Sequence, residues 1–162
     1  MSRVAGVDAW RGGWVAVTLR DGAFERAVVA AAFAELMDRL DDVPVVGVDM
    51  PIGLVASGWR QADRLARAAL GSRGSSIFAT PPRPVLDAAG YAEANLRCRE
   101  LTGQGLSRQA WALIPKIIEV DEFRADRRLF EVHPETSFQR LAGAPLPSKR
   151  TWAGLTRRRA LL

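Results

Sequence analysis

The sequence predicts an α/β fold in which an antiparallel meander is followed by a parallel crossover. Three observations carry this. Short apolar runs at Val4–Asp8 and Val45–Asp49 each end in an acid, as a buried strand leaving a sheet does. Asp21-Gly22 joins two further runs, Trp14–Leu19 and Phe24–Val29, as a two-residue hairpin signal. Between the third and fourth runs, Phe33, Leu36, Met37 and Leu40 recur at helical spacing, closed by Asp41-Asp42 and Pro44. From Trp59 to about Arg128 the pattern is helical and loop-like. Ala62–Leu70 is a helix stopped by Gly71, and Ser72–Pro84 is a Pro- and Gly-rich loop. Tyr91–Leu101 is a further helix, and Ser107 caps another that runs to about Phe123 and is interrupted near Pro115. Arg128–His133 returns to strand character, and Thr136–Leu141 has the length of one or two helical turns.

With 162 residues and 48% apolar side chains, residues 1–162 form one domain. A chain of this size buries close to two-thirds of its unfolded surface, so it needs no disulfide or metal staple. Cys98 is the only cysteine, which excludes an internal disulfide and a thiolate metal cluster and fits a reducing compartment. Apolar stretches fall short of the roughly 20 residues that cross a bilayer, and no signal-peptide core precedes Asp8, so the expected location is cytoplasmic. Net charge is +5 but unevenly spread: residues 1–50 carry five basic and eight acidic groups, residues 51–162 eighteen and ten. A basic second part attracts phosphates, although a solvated Arg-rich surface explains the same numbers.

Asp8 and Asp49 both terminate apolar strands, and the crevice at strand carboxyl ends is where open sheets bind ligands. Buried carboxylates converging there need a cation, an Arg or a proton between them, and clustered hard oxygens suit magnesium or manganese. In Leu129-Phe130-Glu131-Val132-His133, strand alternation puts Glu131 and His133 on one face, and Glu135 follows just past the strand. Several carboxylates at strand ends are the layout of phosphoryl-transfer metal sites. Each acid taken alone is equally a cap, a turn residue or an Arg partner.

Several blocks resemble one family. Gly6-Val7-Asp8-Ala9-Trp10-Arg11-Gly12-Gly13-Trp14, Asp49-Met50-Pro51-Ile52-Gly53, Gly71-Ser72-Arg73-Gly74-Ser75-Ser76, Pro115-Lys116-Ile117 and Glu131-Val132-His133-Pro134-Glu135 occur in order over nearly the whole chain. They identify it as similar to the domain of unknown function 429 family, whose members are predicted nucleases of ribonuclease H-like fold. The resemblance implies a ribonuclease H-like mixed sheet with a mainly helical insertion at about 59–128. It implies a magnesium or manganese site on Asp8, Asp49, Glu131 and Glu135, and a nucleic-acid substrate cut by water. Arg73, Ser75, Ser76 and Lys116 of the insertion would meet a phosphate, as would Arg11 and Lys149 on either side of it. Such folds continue into a further helix that carries an acid. No acid follows Glu135 and the sequence ends at Leu162, so that helix is expected to be missing or truncated.

His133, the only histidine, sits within reach of both Glu131 and Glu135 along the chain, which suits a general base as well as a structural bend. Trp10 and Trp59 are the tryptophans best placed by sequence to stack on bases, and Cys98 reads as a partly buried small residue. Two other functions stay open: a non-catalytic nucleic-acid or protein binding module with a degenerate site, and an actin- or sugar-kinase-like nucleotide-binding domain.

Overall fold

The computed structural model describes residues 2–162. Strands β1 (Arg3–Trp10), β2 (Gly13–Arg20) and β3 (Ala23–Ala30) form the meander. Both of its turns are two residues long with left-handed backbone: Arg11 and Gly12 at φ 44° and 81°, Asp21 and Gly22 at 49° and 81°. That geometry matches the twist of the strands it joins. Helix α1 (Phe33–Asp38) then leads to β4 (Val45–Val48), and β5 (Leu129–Glu131) completes a five-stranded sheet of order β3-β2-β1-β4-β5. Strand β4 runs parallel to β1 and to β5, so the fold is a mixed α/β sheet. The remaining helices are α2 (Gln61–Leu70), α3 (Tyr91–Thr102), α4 (Arg108–Asp121), α5 (Pro134–Ala142) and α6 (Trp152–Arg159), with short 3-10 turns at Gly71–Ser76 and Arg83–Val85.

Two compact units result: residues 1–60 with 79–132, and residues 61–78 with 133–162. The first holds the sheet. Its inner face carries Ala5, Val7, Trp14, Ala16, Val46 and Val48, all nearly or fully buried, and α1 contributes Phe33 and Leu36 to the same core. Trp14 meets Phe33 edge-on at 4.8 Å between ring centroids. The outer face is open, with Val17, Val29, Val45 and Phe130 each at least 40% exposed. Helix α4 runs unbroken through Pro115, contrary to the interruption expected there. Its Ile114, Ile117 and Val120 are buried, and burial of that apolar face outweighs the single backbone bond that proline removes. Because Glu119 of α4 bonds to Trp14 and Phe33, this part of the expected insertion is bound into the sheet unit.

The second unit holds α2, α5 and α6; among its described large apolar side chains, Leu70, Ile77 and Leu146 are the buried ones. At its centre is a carboxylate. Glu135 Oε2 accepts from Arg73 at 2.6 Å and from Arg158 at 2.7 Å, and Arg158 also donates to the carbonyls of Pro147 and Gly154. No helix of the described residues is long and apolar enough to cross a membrane.

Candidate functional site

The pairing of β1 with β4 runs Val4↔Val45 to Val7↔Val48, and the Asp49 N–H continues it by donating to Val7 O at 3.1 Å. Asp8 and Asp49 are therefore neighbours at the carboxyl ends of adjacent parallel strands. Asp8 is exposed and Asp49 half-exposed. Asp8 accepts a hydrogen bond from the Ala9 N–H at 2.8 Å and has no cationic partner among the described residues. Beside this strand end, a cavity of about 450 Å³ is lined by Trp10, Arg11, Gly12, Gly13 and Glu35 among others. Arg11 is part of this lining, with its guanidinium 4.8 Å from the Trp10 ring centroid. Gly13 is required on its far side, because a Cβ there would lie 2.3 Å from Ala30 O.

The other expected acids are placed differently. Glu131 pairs in register with Val48, which pairs with Val7, so it belongs to the row of the buried valines. Alternation puts that row on the face opposite Asp8, and the position level with the aspartates is Val132. Glu131 Oε2 is bound by the buried Arg60 and accepts from the Ile52 N–H at 2.9 Å. It thus fixes the loop that follows Asp49. Glu135 is 7% exposed and held by Arg73 and Arg158 within the second unit. His133 lies outside β5, as the residue that caps α5: its carbonyl accepts from Ser137 N–H and Thr136 Oγ1. Burial, the largest influence, lowers the His133 pKa; Glu135 raises it and Lys149 lowers it further.

Two of the expected phosphate ligands are already engaged. Arg73 donates to Glu135 and to the carbonyls of Leu146 and Pro147, which leaves its guanidinium committed to the fold. Lys116 pairs with Glu119 at 2.8 Å and lies 4.6 Å from the Trp14 ring centroid. Ser75, Ser76 and Lys149 are exposed in the second unit and Arg11 is exposed in the first. Cys98 is fully buried, and burial pushes its thiol pKa up against a smaller opposing effect of Thr102, as befits a packing residue. Arg60, Glu119 and Arg158 also take part in these pairings. Nothing in a one-dimensional pattern marks them, because their partners lie 23 to 105 residues away.

Among the described residues, no group of three or more His, Cys, Asp or Glu side chains is placed to hold a metal ion. Asp8 and Asp49 fit a smaller requirement: magnesium accepts one or two carboxylates and completes its shell with water and substrate phosphate. A four-carboxylate cage including Glu131 and Glu135 does not fit, since arginines neutralise both.

A mixed α/β sheet with an acid pair at the ends of its central parallel strands defines the class of this protein. The chain belongs to the family described as Protein of unknown function (DUF429), whose profile matches residues 6–162. No curated protein and no solved structure matches it.

Proposed function

We propose that this chain is a metal-dependent nuclease of ribonuclease H-like fold, with Asp8 and Asp49 as its ion-binding pair. The single observation that carries this reading is the adjacency of the two aspartates on neighbouring parallel strands. The strand order, with β1 joining an antiparallel meander on one side to parallel strands on the other, supports the fold assignment. A magnesium or manganese ion bound there would supply an activated water and charge neutralisation for a phosphodiester. The chain's own groups do the rest. Asp8 is open to solvent, and Glu131 pins the Ile52 backbone so that the turn after Asp49 holds its shape. Arg11 occupies a left-handed backbone position that ordinary side chains reach at a cost of about 1–2 kcal/mol. Its guanidinium, exposed and set against the Trp10 ring two residues beyond Asp8, suits a substrate phosphate.

Purified protein with manganese or magnesium is expected to cleave a DNA or RNA substrate, and Asp8→Asn is expected to abolish cleavage without lowering the melting temperature. Loss of no activity in Asp8→Asn would overturn the assignment. A second reading, a nucleic-acid binding module with a degenerate site, is favoured by the arginine pairing of Glu131 and Glu135. Wild-type protein that binds oligonucleotide but neither binds manganese nor cuts would establish it.

A further inference from the structure

The second unit, residues 61–78 and 133–162, carries nine Arg and Lys side chains against two carboxylates, Asp63 and Glu135. The first unit holds the other 14 basic and 16 acidic groups, so the positive charge of the chain is concentrated in its smaller part. Three of the nine are used internally: Arg67 on the Ile77 carbonyl, and Arg73 and Arg158 on Glu135. The other six, Arg64, Arg140, Lys149, Arg150, Arg157 and Arg159, are exposed and form no ion pair among the described residues. Six like charges on about 48 residues repel one another and stay together only at a cost in stability.

Helix α6 adds an aromatic to this surface. Gly154 and Arg158 are its buried side, four residues apart. The opposite row is Trp152, Thr156 and Arg159, all exposed, with Leu155, 50% exposed, on its flank; Arg157 is exposed nearer the buried side. Trp152 is 83% exposed and, among the described residues, makes no ring or cation contact, although Lys149 and Arg150 precede it closely. A tryptophan face open to water and bordered by unpaired cations is the combination that stacks a base while holding its phosphates. A duplex keeps its bases stacked on each other, so an exposed ring adds little to duplex binding. An interfacial membrane helix needs a continuous apolar face; here Leu155 is exposed near Trp152, but Thr156 and Arg159 interrupt the stripe.

We propose that the second unit is a binding surface for single-stranded nucleic acid, with Trp152 as base-stacking residue and Lys149, Arg150, Arg157 and Arg159 as phosphate contacts. In its choice of ligand the proposal rests on the nuclease reading, but binding here requires neither metal nor cleavage. The test is fluorescence anisotropy of the full chain in EDTA with a labelled oligothymidylate of about 20 nucleotides, a duplex of equal length, and phosphatidylserine vesicles as competitor. Single-strand binding is expected to exceed duplex binding and to weaken with salt. Trp152→Ala should lower single-strand affinity about tenfold with the salt slope kept. The double variant Arg157→Gln, Arg159→Gln should flatten that slope by roughly 1.4. Asp8→Asn should bind like wild type even where it cuts nothing, which separates this surface from the aspartate pair. Absence of salt-dependent single-strand binding, unchanged affinity in Trp152→Ala, or tighter binding to vesicles would each overturn the proposal. Circular dichroism of each variant confirms that the fold is retained, as the exposure of all four side chains leads one to expect.

Discussion

Glu119 offers the sharpest test of how the sheet unit is held together. One carboxylate there serves three donors: Trp14 Nε1 at 2.7 Å and the Phe33 N–H at 2.8 Å on Oε2, and Lys116 Nζ at 2.8 Å on Oε1. Trp14 and Phe33 are fully buried, so Glu119→Ala would strand two donors that water reaches poorly. Hydrogen bonds to a charged group contribute about 1.5–3 kcal/mol each, and the carboxylate's 30% exposure lets water recover part of that. The expected loss is about 3 kcal/mol for Glu119→Ala and about half as much for Glu119→Gln. Burial alone would push the Glu119 pKa up, but the bonds from Lys116, Trp14 and Phe33 outweigh it and hold the carboxyl below its ordinary value. A carboxyl depressed in the folded state contributes fully above the unfolded carboxylate range, about pH 4.3, and that contribution is lost as pH falls through the lower folded value. Urea unfolding followed by tryptophan fluorescence should therefore show a wide gap between wild type and Glu119→Gln at pH 7 that narrows on acidification. A gap below about 0.5 kcal/mol for Glu119→Ala at pH 7, or one that widens in acid, would refute this reasoning.

Glu135→Gln should destabilise the second unit by about 3 kcal/mol, because breaking a buried pair leaves Arg158 without its anion; faster hydrogen exchange of α5 and α6 amides checks it. His133 is the only histidine, so its imidazole resonances titrate alone and should show a midpoint below the ordinary 6.5, for which burial is the leading cause. With the folded pKa depressed, the unfolded chain binds the proton more readily, so this stability is present above about pH 6.5 and is lost as pH falls below it. A midpoint at or above 6.5 would contradict that assignment. Gly154→Ala places a Cβ 2.0 Å from Ser148 O and should unseat the start of α6, seen as lost helical ellipticity, whereas Gly90→Ala meets open space and should cost under about 1 kcal/mol.

Much of the sheet was legible because its signals are local. The Asp21-Gly22 turn, the apolar runs ending at Asp8 and Asp49 and the spacing of Phe33, Leu36 and Met37 each depend on residues only a few positions apart. Strand ends then differ by one or two residues, as at β1, which begins at Arg3 and continues to Trp10. Pro115 misled because its local cost is real, while the burial that outweighs it comes from Ile114 and Ile117 packing at long range. The division of residues 59–128 was not legible for the same reason. Helix α4 is tied to Trp14 and Phe33 through Glu119, whereas α2 belongs with α5 and α6.

The acids of the Glu131–Glu135 block show where pattern reading stops and pairing takes over. In one dimension, four strand-end carboxylates look equivalent. Register separates Glu131 from Asp8, because it stands level with Val7 and Val48, whose side chains are buried, and alternation then aims the two acids to opposite faces. Charge separates them again: Glu131 is neutralised by Arg60 and Glu135 by Arg73 and Arg158, whereas Asp8 accepts from the Ala9 N–H and has no cationic partner among the described residues. A carboxylate that already has its cation gains little from binding another. On the proposed reading a cation would bind at the Asp8 end, and Glu131 would act on it through the Ile52 loop. Glu131→Gln should accordingly weaken manganese binding far less than Asp8→Asn while lowering stability more, an order that a true ligand at Glu131 would reverse.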